Sequence, residues 1–193
     1  MGGCFVCFPR GKSGAGDTGD PGWAGAALGS RGRLVATAVA EGTAGAPYLE
    51  GLLALREGAL LEAAVHALPD SPRLLLVNAS GRDHPRRAGL ALHLGAVLEI
   101  PTIGVTHRPL VAEGEWPPDE RGSRSPLLLD SALVGYWLRT RAGRRPLAVH
   151  AAWRTDADTA AEVALSVSRA RTPEPLRQAR RVARLARASA RRA

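Results

Sequence analysis

An α/β fold built on a mixed sheet is what the sequence predicts, on three observations. Short apolar segments separated by Gly-rich turns stand near the N-terminus, the apolar period then switches to that of a helix, and a leucine-rich run follows in the order strand, loop, helix, strand. Residues 3–8 (GCFVCF) are apolar throughout and are followed at once by Pro9 and a Gly-rich loop from Gly11 to Gly22, so they read as a short buried strand. Trp23–Leu28 and Arg33–Ala40 read as two further strands about the turn Gly29-Ser30-Arg31-Gly32, together an antiparallel meander, although Ala and Gly are poor strand formers.

From Leu52 to Leu68 the residues Leu53, Leu60, Leu61, Ala64 and Leu68 form one helical stripe, ended by Pro69-Asp70-Ser71-Pro72. Arg73–Val77 is a leucine-rich run of the kind covered on both faces in a parallel sheet. The loop 78–85, a helix over 86–97 and a strand at Thr102–Val105 complete a βαβ unit. Pro109–Ser125, rich in Pro, Gly and charge, reads as a surface loop. Val134–Arg141 and Pro146–Ala151 flank Ala142-Gly143-Arg144-Arg145 as a hairpin or paired crossover, and Thr155 or Asp156 caps a helix that runs to about Arg169 before Pro173. The 193 residues are organised as one domain over 1–172 with an Arg-rich helix or tail over 173–193.

The charge is unevenly placed. Residues 169–193 hold nine arginines against the single acid Glu174, a net of +8 that equals that of the whole chain, so residues 1–168 sum to zero. Arg177, Arg180, Arg184, Arg187 and Arg191 recur at helical spacing along one face. Such a face suits a phosphate backbone. It equally suits a solvated terminal helix in a chain that prefers Arg, since Lys12 is the one lysine among 26 basic residues. No apolar stretch reaches the roughly 20 residues a membrane span needs and no secretory signal is visible, so a soluble, cytoplasmic monomer without membrane contact is expected. Cys4 and Cys7 form an isolated C-x-x-C, which lacks the second pair a zinc site needs and places its thiols on opposite faces of a strand; two buried strand cysteines are expected.

Glu57 falls on the apolar stripe of its helix, where a carboxylate must be paired, hydrogen-bonded or metal-bound; a salt bridge to a neighbour such as Arg87 is the plain alternative to a functional role. Asn78 stands at the end of the leucine-rich strand, where ligands collect in open α/β sheets, but offers no negative charge to a hard cation. Asp83 is the nearest acid, and His84, held extended by Pro85, can project into the same cleft.

These residues carry a resemblance. The stretch from Pro47 to Gly58 (PYLEGLLALREG) resembles the P-Y-I-P-G-x-L-x-F-R-E segment of the endonuclease V family. Leu75–Val105 (LLVNASGRDHPRRAGLALHLGAVLEIPTIGV) is similar to that family's L-x-V-D-G-x-G-x-x-H-P-R-R-x-G-x-A-x-H-x-G block running into P-T-I-G-V-A-K, and Pro173-Glu174-Pro175 resembles its L-P-E-P segment. The resemblance implies a ribonuclease-H-like fold and Mg2+-dependent cleavage of DNA or RNA near inosine, as in repair of deaminated bases. It implies that Pro47, Tyr48, Leu49 and Glu50 form a strand-separating wedge and that Gly51, Gly81 and His84 line the base pocket, with Glu50 where the family has proline. Of the four expected metal positions, matching strand to strand leaves Phe5, Glu57, Asn78 and Trp153, so Glu57 alone keeps its ligand type. His107 stands for the family's lysine. With Glu57 and Asn78 as the remaining catalytic pair, impaired cleavage is expected, the alternative being a catalytically inactive nucleic-acid-binding module. A third reading, a truncated gene product, rests on a chain that opens directly on its first strand.

Overall fold

The computed structural model describes residues 1–9 and 16–190. Its elements run β1 (Gly2–Cys7), β2 (Pro21–Ser30), β3 (Arg33–Thr43), α1 (Leu53–His66), β4 (Leu75–Val77), α2 (Leu90–Leu98), β5 (Thr102–Thr106), β6 (Arg124–Leu129), β7 (Ala132–Leu138), β8 (Leu147–Ala151), α3 (Ala157–Ser166) and α4 (Glu174–Ala190). Among the described residues they form one eight-stranded sheet in the order β3-β2-β1-β4-β5-β8-β7-β6. The centre, β1-β4-β5, is parallel; both flanks are antiparallel. This is the mixed ribonuclease-H-like sheet that the sequence predicts.

Alternation along β4 shows how the layers are filled. Leu75 and Val77 join the core under α1 and α2, with Leu60, Leu61, Ala64 and Leu94. Leu76 points the other way, into a core with Ile103, Val149, Ala160 and Leu176 under α3 and α4. β1 alternates likewise: Cys4 faces α1, whereas Phe5 and Cys7 cluster with Trp23 and Ala183 under α4. The two cysteines are thus buried, as expected, the Cys7 thiol donating to the Ala183 carbonyl at 3.5 Å, and burial pushes the Cys4 thiol well above its usual pKa.

The Gly- and Ala-rich composition that makes β2 a weak strand in sequence has a packing reason. A Cβ at Gly25 would strike the carbonyl of Ala179, and one at Gly3 would strike the backbone of Pro175 and Leu176. Small residues on β1 and β2 let α4 lie directly on the sheet, burying Leu176, Ala179 and Ala183. The arginine-rich helix is therefore half a core element, with Arg180 and Arg187 half-buried at the borders of the buried stripe and Arg177, Arg181 and Arg184 exposed.

Three expectations shift. β6 arises inside the segment read as surface loop and its continuation; its Pro126 lies on the sheet edge, where a missing N–H is tolerated. α2 begins at Leu90 rather than near Arg86, because Arg87 takes a left-handed φ of 54° and breaks the first turn. Asp156 caps α3 by accepting from the Thr159 amide at 2.7 Å, and α3 ends at Ser166. Arg191 and residues 11–15 of the Gly-rich loop lie outside the described residues. No helix of the described residues is long and apolar enough to cross a membrane.

Candidate nucleic-acid interface

The C-terminal ends of the parallel strands open onto two adjoining hollows that share Asn78. The first, of about 260 Å³, is lined by Tyr48, Gly51, Asn78, Ser80, His84 and Arg108 among others. His84 fixes it. Its Nδ1 accepts from the Arg86 amide at 3.0 Å, so the ring proton sits on Nε2, which donates to the Gly51 carbonyl at 2.8 Å. The imidazole is thus a neutral strut between the loop after β4 and the turn before α1. Gly51 makes that turn with φ of 78°, a conformation that a side chain would strain. Pro47, Tyr48, Leu49 and Glu50 project beyond the strut as an exposed ridge, Tyr48 at 43% exposure. Gly81 lies behind the hollow, where its backbone packs against the carbonyl of Ala151.

Two buried polar groups, unmarked in sequence as anchors, hold the walls. Arg56, on α1, is 4% exposed, pairs with Asp20 at 3.1 Å and donates to the carbonyls of Asp17 and Ala46, tying α1 to the segment before β2 and to the approach to the ridge after β3. Its signal was its place directly before Glu57 on an otherwise apolar stripe. Asp83, fully buried, accepts from the amides of Leu110, Val111 and Ala112 at 2.6, 2.9 and 2.7 Å. Those bonds fold the 108–112 segment over the hollow and fully employ the carboxylate, so Asp83 is an anchor rather than a reserve metal ligand. His150 lies 3.6 Å from Asp83, but burial holds its pKa below the usual value against the pull of that carboxylate. It is neutral near pH 7 and contacts Thr106 at 2.9 Å.

The second hollow, of about 150 Å³, is lined by Cys4, Phe5, Val6, Leu53, Glu57, Leu61 and Asn78. Three of the four positions expected to hold metal therefore do converge. Among the described residues Glu57 has no hydrogen-bond or ion-pair partner; Arg87, its supposed mate, pairs with Asp130 at 3.0 Å. Burial pushes the Glu57 carboxyl up to about 7, opposed by the neighbouring Arg56 charge.

Trp153 is not part of this hollow. Because β8 runs antiparallel to β5, its end reaches the opposite edge of the sheet, where Trp153 meets Thr102 and Gly95. Arg180 comes instead, from α4. It donates to Asn78 Oδ1 at 3.1 Å and lies 4.9 Å over the Phe5 ring, with Arg184 5.9 Å from the same ring. His107 is near: its Nδ1 accepts from Arg171 at 3.0 Å, and burial with the charges of Arg171 and Arg180 holds it below the usual histidine pKa. The sequence places Arg180 on an arginine face without assigning it to the site. Its position beside Ala179 and Ala183, on the border of the buried stripe, is the signal that could have done so.

A hard divalent cation prefers carboxylate and carbonyl oxygens in number. One unpaired carboxylate, a neutral amide already bonded to a guanidinium, and a phenyl ring do not make that donor set. Among the described residues no three acidic, His or Cys side chains group closely enough to hold a metal.

The Endonuclease V family model matches residues 21–181. Endonuclease V of Streptomyces avermitilis is 43% identical over 147 residues, covering 76% of this chain and 64% of that protein; that of Methanopyrus kandleri is also 43% identical, covering 73% and 61%. The chain thus spans under two thirds of the length of these relatives. The crystal structure of the Streptomyces avermitilis protein superposes with a TM-score of 0.88 at 37% identity, covering 98% of this chain and 82% of that one. The catalytic domain of human Endonuclease V gives 0.87 at 29%, with the same coverage. A Ciona intestinalis Endonuclease V, solved in complex with a 24mer DNA containing an inosine followed by a ribo-adenosine, shares the fold with a TM-score of 0.81 at 20% identity. By its sequence and its fold, the chain belongs to the endonuclease V family.

Proposed function

We propose that this chain recognises inosine-containing DNA or RNA and that its Mg2+-dependent cleavage is impaired. The base-recognition half rests on the hollow of about 260 Å³ and its struts. A flipped purine meets a cleft braced by neutral His84 at its mouth, while the exposed Tyr48 ring offers a face to the stack that the base leaves. Glu50, exposed on the same ridge, opposes the phosphate backbone and weakens the wedge. That a Ciona intestinalis relative is seen with inosine-containing DNA supports the same ligand here.

The observation that carries the second half is the Arg180 guanidinium on Asn78 and over the Phe5 ring, two residues that also line the hollow holding Glu57. A cation is already built into the place where a metal would need anionic oxygens. The same observation favours a second reading, a catalytically inactive binding module. Both readings take the protein to act as a cytoplasmic monomer.

The test is cleavage of an inosine-containing oligonucleotide in Mg2+ and in Mn2+, run beside a gel shift and a Glu57→Ala control. Slow cutting that disappears in Glu57→Ala supports an impaired enzyme. Inosine-dependent binding without cutting supports the module. Neither cutting nor binding refutes both.

A further inference from the structure

We propose that Arg180, flanked by Arg171 and Arg184, takes the place of the divalent cation and binds a backbone phosphate of the nucleic acid without metal. The inference rests on the nucleic-acid reading above and specifies how the reacting end of the site now holds its ligand. Three arginines from α4 and the segment before it converge on the end of the parallel sheet, and among the described residues none of the three is paired with a carboxylate. Elsewhere on the same helix Arg177 is satisfied by Glu174, through two contacts of 2.8 Å. The cluster near Asn78 is thus unneutralised.

The guanidinium of Arg180 is also oriented. Nη2 is fixed on Asn78 Oδ1, the Phe5 ring supports the plane of the group, and the buried Nε has no partner among the described residues. Arg171 is held by the carbonyls of Arg145 and Pro146 at 2.7 and 3.1 Å and by His107 Nδ1. With Nδ1 accepting, His107 keeps its proton on Nε2 as a further donor. Planar forks held in place bind phosphate oxygens by charge-assisted pairs of hydrogen bonds. The replacement of an acid by Phe5 then has a physical sense, since a phenyl face supports a guanidinium where a carboxylate would neutralise it.

The experiment measures anisotropy of a labelled inosine-containing single strand and its adenine counterpart over a range of salt. It is run in EDTA and in Mg2+ on the unchanged protein, Arg180→Gln and Arg180→Lys. Expected are binding that EDTA changes by less than about twofold, and an Arg180→Gln variant weakened about tenfold at low salt whose slope of log K against log salt is smaller by about 1. Arg180→Lys restores the slope. A folding defect lowers the active fraction but leaves the slope alone, so a structural role does not mimic this result. The proposal is overturned if Arg180→Gln binds with the parent's affinity and slope, or if EDTA abolishes binding. An Arg180-dependent slope without preference for inosine over adenine upholds the phosphate site while refuting the base-recognition reading; the preference without the slope change does the reverse.

Discussion

The hollow braced by His84, proposed to take the base, and the hollow of Glu57 are neighbours built from the same strand end and share Asn78, yet their chemistry differs. Around the first, buried polar groups are held by fixed partners: His84 joins Gly51 to the loop after β4, Arg56 holds the approach to the ridge, and Asp83 holds the 108–112 segment. In the second, Glu57 has no hydrogen-bond or ion-pair partner among the described residues, and the Asn78 that lines the hollow with it is already bonded to the Arg180 guanidinium. The difference teaches that recognition and chemistry in this fold are separable. On the proposed reading, recognition rests on backbone geometry and buried anchors, whereas cleavage depends on a few side chains at strand ends that can change without disturbing the sheet.

The strongest way to break the comparison is to rebuild the second hollow. Phe5→Asp, Asn78→Asp and Arg180→His together would put two carboxylates and an imidazole where Phe5, Asn78 and Arg180 meet, at the border of the hollow that Glu57 lines. Mg2+-dependent cleavage of inosine-containing strands is expected to rise at least about 100-fold above the parent. Absence of any gain in a folded variant would show that the donor set is not what limits cleavage.

Next in size is Asp83→Asn. The amide cannot accept from all three backbone N–H groups that the carboxylate satisfies, and the loss is expected to be about 3 kcal/mol in denaturant unfolding. Inosine binding should weaken because Arg108 and Leu110 line the base hollow, while Glu57 should be unaffected. A parent-like stability would mean that the 108–112 segment is held by other contacts. A smaller effect is expected from His84→Ala, which removes the strut to Gly51 and should reduce the preference for inosine over adenine about tenfold. An unchanged preference would place base selection elsewhere.

The contrast between the hollows also explains what was legible in sequence. The parallel centre, α1 and the meander follow from apolar period and turn residues, and the positions of Glu57, Asn78 and His84 follow from their places at element ends. β6 was hidden because its turn to β7 uses Asp130 and Ser131, at φ of 48° and 64°, with no glycine to announce a hairpin. Trp153 was misplaced because strand direction, which decides the sheet edge that a strand end reaches, is a tertiary property. For Arg180 the sequence leaves open a phosphate-binding or a solvated helix face and assigns it no site, because its contact with Asn78 spans 102 residues. Amphipathic spacing reports which face of a helix is covered, but not which strand end its border residues meet.

The finest test of the second hollow is the titration of Glu57 itself. Burial raises its folded pKa from 4.5 to about 7, so the fold favours the protonated acid. The corresponding stabilisation is fully present below about pH 4.5 and is lost as pH rises through about 7. Glu57→Gln, a neutral isostere, should therefore leave thermal stability near pH 5 unchanged and raise it near pH 8 by on the order of 1 kcal/mol, in the presence of EDTA. If a divalent cation occupied the hollow, added Mg2+ would stabilise the parent near pH 8 and spare the variant, reversing their order. If the hollow is a cation-free remnant governed by burial, Mg2+ shifts neither protein and the gain near pH 8 belongs to Glu57→Gln alone.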